Sequence, residues 1–157
     1  WLKGFPGMFC WLGFIILRLA ARTAGDESCP ISCKTGNGVA SGSTYREVAQ
    51  QYYTAFNEHN LEALVAFFTT ESELEDKNNG HLRGYDAVVR AHADVLATVP
   101  QVHFGLLQTH VSPETATVVC ELKVNLNNAA GTEMRVVDVL EFFPGSTKIK
   151  FLRAYDG

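Results

Sequence analysis

The sequence predicts an α+β domain in which three N-terminal helices pack into a strongly curved, mixed but mainly antiparallel sheet. Three observations carry this. Apolar residues recur at helical spacing over residues 45–68 and again over 85–97. Four β-type runs follow, at about 101–110, 115–126, 132–143 and 147–156, joined by turn chemistry at Ser112-Pro113, Asn127-Asn128 and Pro144-Gly145. Helices first and a meander afterwards put the helices on one face of a bent sheet. Curled around them, that sheet encloses a conical cavity with one open mouth.

Taken in order, residues 1–24 form an apolar leader. Phe5 to Leu17 is almost wholly apolar, with Lys3 before it and Arg18 and Arg22 after it. Such a run is short for a membrane span and fits a signal peptide, a short anchor or upstream sequence absent from the mature protein. Secretion or an organelle follows if the leader is cleaved, and the cytoplasm otherwise. Residues 25–42, rich in Gly, Ser, Thr and Asn, read as a flexible linker, in which Cys29 and Cys33 can pair if the compartment is oxidising. The folded domain spans 43–157. Thr44 with Glu47 is a capping box opening a helix whose stripe is Tyr45, Val48, Ala49, Tyr52 and Phe56. Asn57 to Asn60 breaks it. Asn60 caps a second helix carrying Leu61, Leu64, Val65 and Phe68 on one side. Ser72 to Asp76 is a short strand ending at the Asn78-Asn79-Gly80 turn. A third helix runs from about Tyr85 to Ala97, with Ala87, Val88, Ala91 and Val95 inward, and stops before Pro100.

Composition excludes several functions. A net charge of −4 with 13 scattered Lys and Arg leaves no electrostatic footprint for nucleic acid. Phosphate-binding glycine loops, HExxH and paired CxxC motifs do not occur in the sequence. Two linker cysteines without matching histidines make a poor zinc site, so no metal is expected. Cys120, on the apolar Val118-Cys120-Leu122-Val124 face, reads as a buried, inert thiol.

The chemistry concentrates in three residues. Asp138 sits on a strand face that reads Val136, Asp138, Leu140, Phe142. If that face is the cavity wall, desolvation raises its pKa and makes it a neutral donor at pH 7; if the faces are swapped, it is solvated. Asp76 shares a face with Leu74 and can act as a base, or simply end a strand in water. Tyr52 lies on the core stripe, where packing competes with chemistry, yet a buried hydroxyl needs a partner and a carboxylic acid would serve. Around this trio the pocket wall is expected from Phe56, Val88, His92, Val136, Leu140 and Phe142. His59 and His81 fall in exposed turns, and His92 either edges the cavity or faces water. An Asp–His dyad such as His92 with Asp138 is open. Arg153 and Tyr155 are rim residues or a surface pair.

The segments Tyr52-Tyr53-Thr54-Ala55-Phe56-Asn57, Asn60-Leu61-Glu62-Ala63-Leu64-Val65-Ala66-Phe67-Phe68, Gly84-Tyr85-Asp86-Ala87-Val88 and Arg153-Ala154-Tyr155-Asp156 resemble, in order and spacing, the SnoaL-like branch of the nuclear transport factor 2-like superfamily. Within it they are most similar to the Δ5-3-ketosteroid isomerases, over about residues 45–156. The resemblance implies a cone-shaped NTF2-like, or cystatin-like, roll. It implies Asp76 as general base after Glu75, Tyr52 as oxyanion donor and Asp138 as a second, protonated oxyanion donor, the arrangement known from ketosteroid isomerase. Lys77 stands where those isomerases typically have proline, and the turn Phe143 to Thr147 carries one extra residue. The function implied is a cofactor-independent isomerase moving a proton α to a ketone through a dienolate, acting on a hydrophobic carbonyl compound. Alternatives are a polyketide-cyclase-like enzyme or dehydratase, and a non-catalytic binding or dimerisation module. A homodimer through the sheet is implied as well.

Overall fold

The computed structural model describes residues 41–156. The apolar leader, the Cys29–Cys33 pair and residues 25–40 lie outside the described residues.

Helix α1 (Gly42–Asn57) begins earlier than the Thr44–Glu47 box suggests. Ser41 is the N-cap, accepting from the backbone N–H of Thr44 at 3.4 Å, which puts Thr44 inside the first turn. The buried stripe also takes in Tyr53 and Ala55, because α1 packs against α2, β3 and β4 at once. Asn60 caps the short α2 (Leu61–Val65) through Ala63 N at 3.0 Å. β1 (Glu73–Asp76) turns into β2 (Gly80–Arg83), a strand that sequence alone does not reveal. Gly80 closes this hairpin at φ +66°, a conformation that suits glycine. α3 (Tyr85–Thr98) leads into the meander β3 (His103–Ser112), β4 (Thr117–Asn125), β5 (Glu133–Phe142) and β6 (Ile149–Asp156).

The six strands form one sheet in the order β2-β1-β6-β5-β4-β3. Among the described residues only β1 against β6 is parallel, and every other pairing is antiparallel. The register shifts at Leu106/Gln108 and Glu141/Phe142, each an added residue or irregularity in the ladder, are the kind of feature that bends a strand and increases its twist. Alternation on β5 turns Asp138, Leu140 and Phe142 inward and leaves Arg135 and Val137 exposed. The core gathers between that face and α1: Tyr45 stacks on Phe142 with ring centroids 4.8 Å apart, and Phe56 meets Phe104 at 4.4 Å.

Candidate active site

Between α1, α3 and the inner face of the sheet lies a cavity of about 120 Å³. Its wall is mostly apolar, with Phe56, Leu74, Ala91, Val95, Phe104, Val136 and Leu152, and its polar members are Tyr52, Asp76, His92 and Asp138. The three residues singled out for chemistry therefore border one space. It is comparable to the ~150 Å³ cavity known to hold a benzene ring. A second, larger cavity of about 200 Å³ adjoins it and shares Asp76, Val95, Phe104, Val136 and Ala154. Beyond those it is walled by Val99, Val102, Val124, Leu126 and Met134, with Lys77 and Asp156 at its margin.

Asp138 is 5% exposed. One oxygen, Oδ2, accepts the hydroxyl of Tyr53 at 2.8 Å; the other, Oδ1, is buried with no partner among the described residues. Burial pushes its pKa up to about 7, with the negative charge of Asp76 adding to the rise and the Tyr53 bond opposing it. A buried carboxyl oxygen without a partner leaves a hydrogen-bonding capacity unmet. Cys120, paired across the sheet with Asp138, is pushed up to about 12 by burial and stays a thiol at neutral pH.

Tyr52, 2% exposed, does not bond to Asp138. Its hydroxyl meets Nε2 of His92 at 2.8 Å. The other ring nitrogen, Nδ1, lies 2.7 Å from the carbonyl oxygen of Val88, one turn earlier on α3. A carbonyl only accepts, so Nδ1 carries the hydrogen. Burial lowers the His92 pKa, the Val88 bond and Asp76 acting against it, so the ring is neutral and Nε2 is an acceptor. Tyr52 accordingly donates to His92. Its pKa is raised well above the ordinary phenol value, first by burial and then by the Asp138 charge, which keeps the phenol neutral. The expected role of Tyr52 as a donor into the cavity is thus at odds with where its hydrogen is engaged.

Asp76 closes the β1–β2 turn. Oδ1 accepts from the backbone N–H groups of Asn78 at 2.7 Å and Asn79 at 2.6 Å, and Oδ2 accepts from the Asn79 side chain at 2.8 Å. A carboxylate has about four lone-pair positions, so one on Oδ2 stays open for a proton.

Of the expected pocket wall, Phe56, His92 and Val136 border the cavity. Val88, Leu140 and Phe142 do not; they lie within the core cluster. Tyr53 is a site residue that sequence reasoning misses. It sits one position off the helical stripe, and the available signal was that a buried Asp138 requires a donor from the helix crossing it. No His92–Asp138 bond forms.

The SnoaL-like domain family model matches residues 49–149. No curated protein matches the chain. Several hundred solved structures are similar. A cystatin-like fold protein of unknown function from Methylobium petroleophilum PM1 has a TM-score of 0.67 at 20% identity, covering 76% of this chain and 80% of that one. A SnoaL-like protein of unknown function from Burkholderia thailandensis has a TM-score of 0.64 at 18% identity, covering 74% of this chain and 98% of that one. SalBIII, an epoxide hydrolase/cyclase-like enzyme in pyran ring formation in the polyether salinomycin, has a TM-score of 0.62 at 21% identity, covering 73% and 92%. At these identities the likeness is one of fold, and this fold carries many chemistries.

Proposed function

The chain belongs to the SnoaL-like family, and on that premise we propose that its cavity moves a proton next to a ketone without a cofactor. The observation that carries this reading is Asp138, buried in the wall of an apolar cavity with one carboxyl oxygen, Oδ1, unpartnered among the described residues. Protonated, Asp138 donates from Oδ1 to the carbonyl oxygen of a bound β,γ-unsaturated ketone. The open position on Asp76 takes the α-proton: the C–H bond breaks, a carboxyl O–H forms, and the electron pair moves into a dienolate. Asp76 then returns the proton two carbons along, which leaves the conjugated enone. Hydrogen-bond donation to a developing oxyanion in a water-poor site contributes on the order of 3 kcal/mol. Tyr53 steadies the acid through Oδ2. Tyr52 joins as an oxyanion donor only by releasing His92.

Incubating the protein with 3-cyclohexenone, and separately with a 3-oxo-Δ5 steroid, while following conjugated-enone absorbance tests this. The expected result is turnover that Asp76→Ala lowers by about 10²-fold or more, the usual contribution of a general base. Absence of turnover, or an unaffected Asp76→Ala variant, ends the isomerase reading.

A second reading draws on a different observation. Asp76 is engaged by three donors, whereas Asp138 titrates near neutrality and has a free oxygen. A cyclase-like enzyme would use Asp138 itself as the acid and base. Asp138→Asn then abolishes turnover while Asp76→Asn reduces it only mildly; the isomerase predicts the reverse ranking.

A further inference from the structure

The geometry points to a second recognition group in this cavity: Tyr52, held by His92 as a hydrogen-bond acceptor, selects ring ketones that also carry a hydroxyl. The inference deepens the proposed function and rests on its reading of Asp138 as the carbonyl donor.

The Val88 carbonyl fixes the hydrogen on Nδ1 of His92, and a helix carbonyl one turn away cannot move without unwinding α3. Nε2 is left as an acceptor 2.8 Å from the Tyr52 hydroxyl, so the phenol hydrogen is committed to the ring. Turning that hydrogen into the cavity would strand Nε2 among aromatic side chains, since His92 lies 5.7 Å from Phe56 and 5.0 Å from Phe68, centroid to centroid. The Tyr52 oxygen keeps lone pairs, and no donor among the described residues takes them. Tyr52 and Asp138 border the same space, one as acceptor and the other as donor. A ligand complementary to both presents a hydroxyl hydrogen to Tyr52 and a carbonyl oxygen to Asp138, on a ring that a cavity of about 120 Å³ admits. A plain ketone leaves Tyr52 unmet. A methyl ether of the same shape brings an acceptor against an acceptor.

Calorimetric titration of the protein with cyclohexanone, its 2-, 3- and 4-hydroxy derivatives and the matching methoxy derivatives tests this. The best hydroxyketone should bind about tenfold tighter than cyclohexanone, the effect of one buried hydrogen bond, and the methoxyketones should show no such gain. In Tyr52→Phe the hydroxyl advantage over cyclohexanone should vanish. His92→Phe is the independent arm: with the Tyr52 hydrogen free to enter the cavity, the gap between hydroxy- and methoxyketone should close. Equal binding of hydroxyketones and cyclohexanone overturns the inference, as does a hydroxyl advantage that survives Tyr52→Phe, since Asp138 would then be the acceptor. The parent reading fails separately, if Asp138→Ala leaves cyclohexanone affinity unchanged.

Discussion

The two oxygens of Asp138 have different surroundings, and its titration follows from that. Oδ2 has the Tyr53 hydroxyl, Oδ1 has no partner among the described residues, and burial together with Asp76 moves the group from 3.8 up to about 7. Below the unfolded value both states are protonated and no penalty exists. Between 3.8 and about 7 the unfolded chain ionises while the folded one keeps its proton, so stability falls as pH rises through this window. Above it both states are charged and the loss, on the order of a few kcal/mol, stays constant. Asp138→Asn removes the titration and retains an acceptor for Tyr53. Urea unfolding at several pH values should show the variant gaining on the parent protein from pH 4 to 7 and no further beyond that. A difference that does not change with pH would take Asp138 out of the role of buried acid. The same protonation governs catalysis under the isomerase reading: turnover should decline above about pH 7 as the donor on Oδ1 is lost, a limb visible in kcat/KM and missing from Asp138→Asn.

Among the elements, β1 depends on one fully buried serine. The Ser72 hydroxyl donates to the Ile149 carbonyl at 2.6 Å and accepts from Thr69 N at 2.8 Å, and its own carbonyl accepts Gly84 N at 2.9 Å. These bonds tie the end of the helical hairpin to β6 and set the parallel pairing that carries Asp76 to the cavity. Ser72→Ala strands two backbone groups away from water and should cost about 1–3 kcal/mol, seen as a lower urea midpoint at unchanged slope. Loss below about 0.5 kcal/mol would mean that the corner is held by packing alone. Local pattern made most elements legible: the Asn60 cap and α3 follow from residue spacing, and alternation puts Asp138 on one face with Leu140 and Phe142 without saying which face turns inward. What failed were contacts of no local signature. Gly80-His81-Leu82-Arg83 is a strand only because β1 pairs with it, and its single apolar residue offers no period to read. Tyr53 with Asp138 and Tyr52 with His92 are 85 and 40 residues apart, so the sequence exposes the groups but not their partners.

At the scale of the molecule, the sheet has two faces with different work. The inner face closes the core and the cavity; the outer face of β4, β5 and β6 remains open. There Val137 and Tyr155 are register partners, 38% and 55% exposed, and Val119 pairs with Val139 beside them. Charged pairs of both signs flank this centre: Lys123 with Glu133 at 2.7 Å, and Arg153 with Glu141. A surface carrying an apolar centre and charges of both signs can meet its own copy about a two-fold axis, where each basic group faces the other copy's acidic one. The homodimer implied by the family resemblance is therefore expected to form through this face. Sedimentation velocity at tens of micromolar protein should give a dimer, and Val137→Glu, which adds a like charge on each side of the axis, should give a monomer. Because Val137 points away from the cavity, that variant should retain its ligand affinity and unfold at a lower temperature only to the extent that association had stabilised it. A parent protein that sediments as a monomer, or a Val137→Glu variant that stays dimeric, would assign the outer face to solvent and place any association elsewhere.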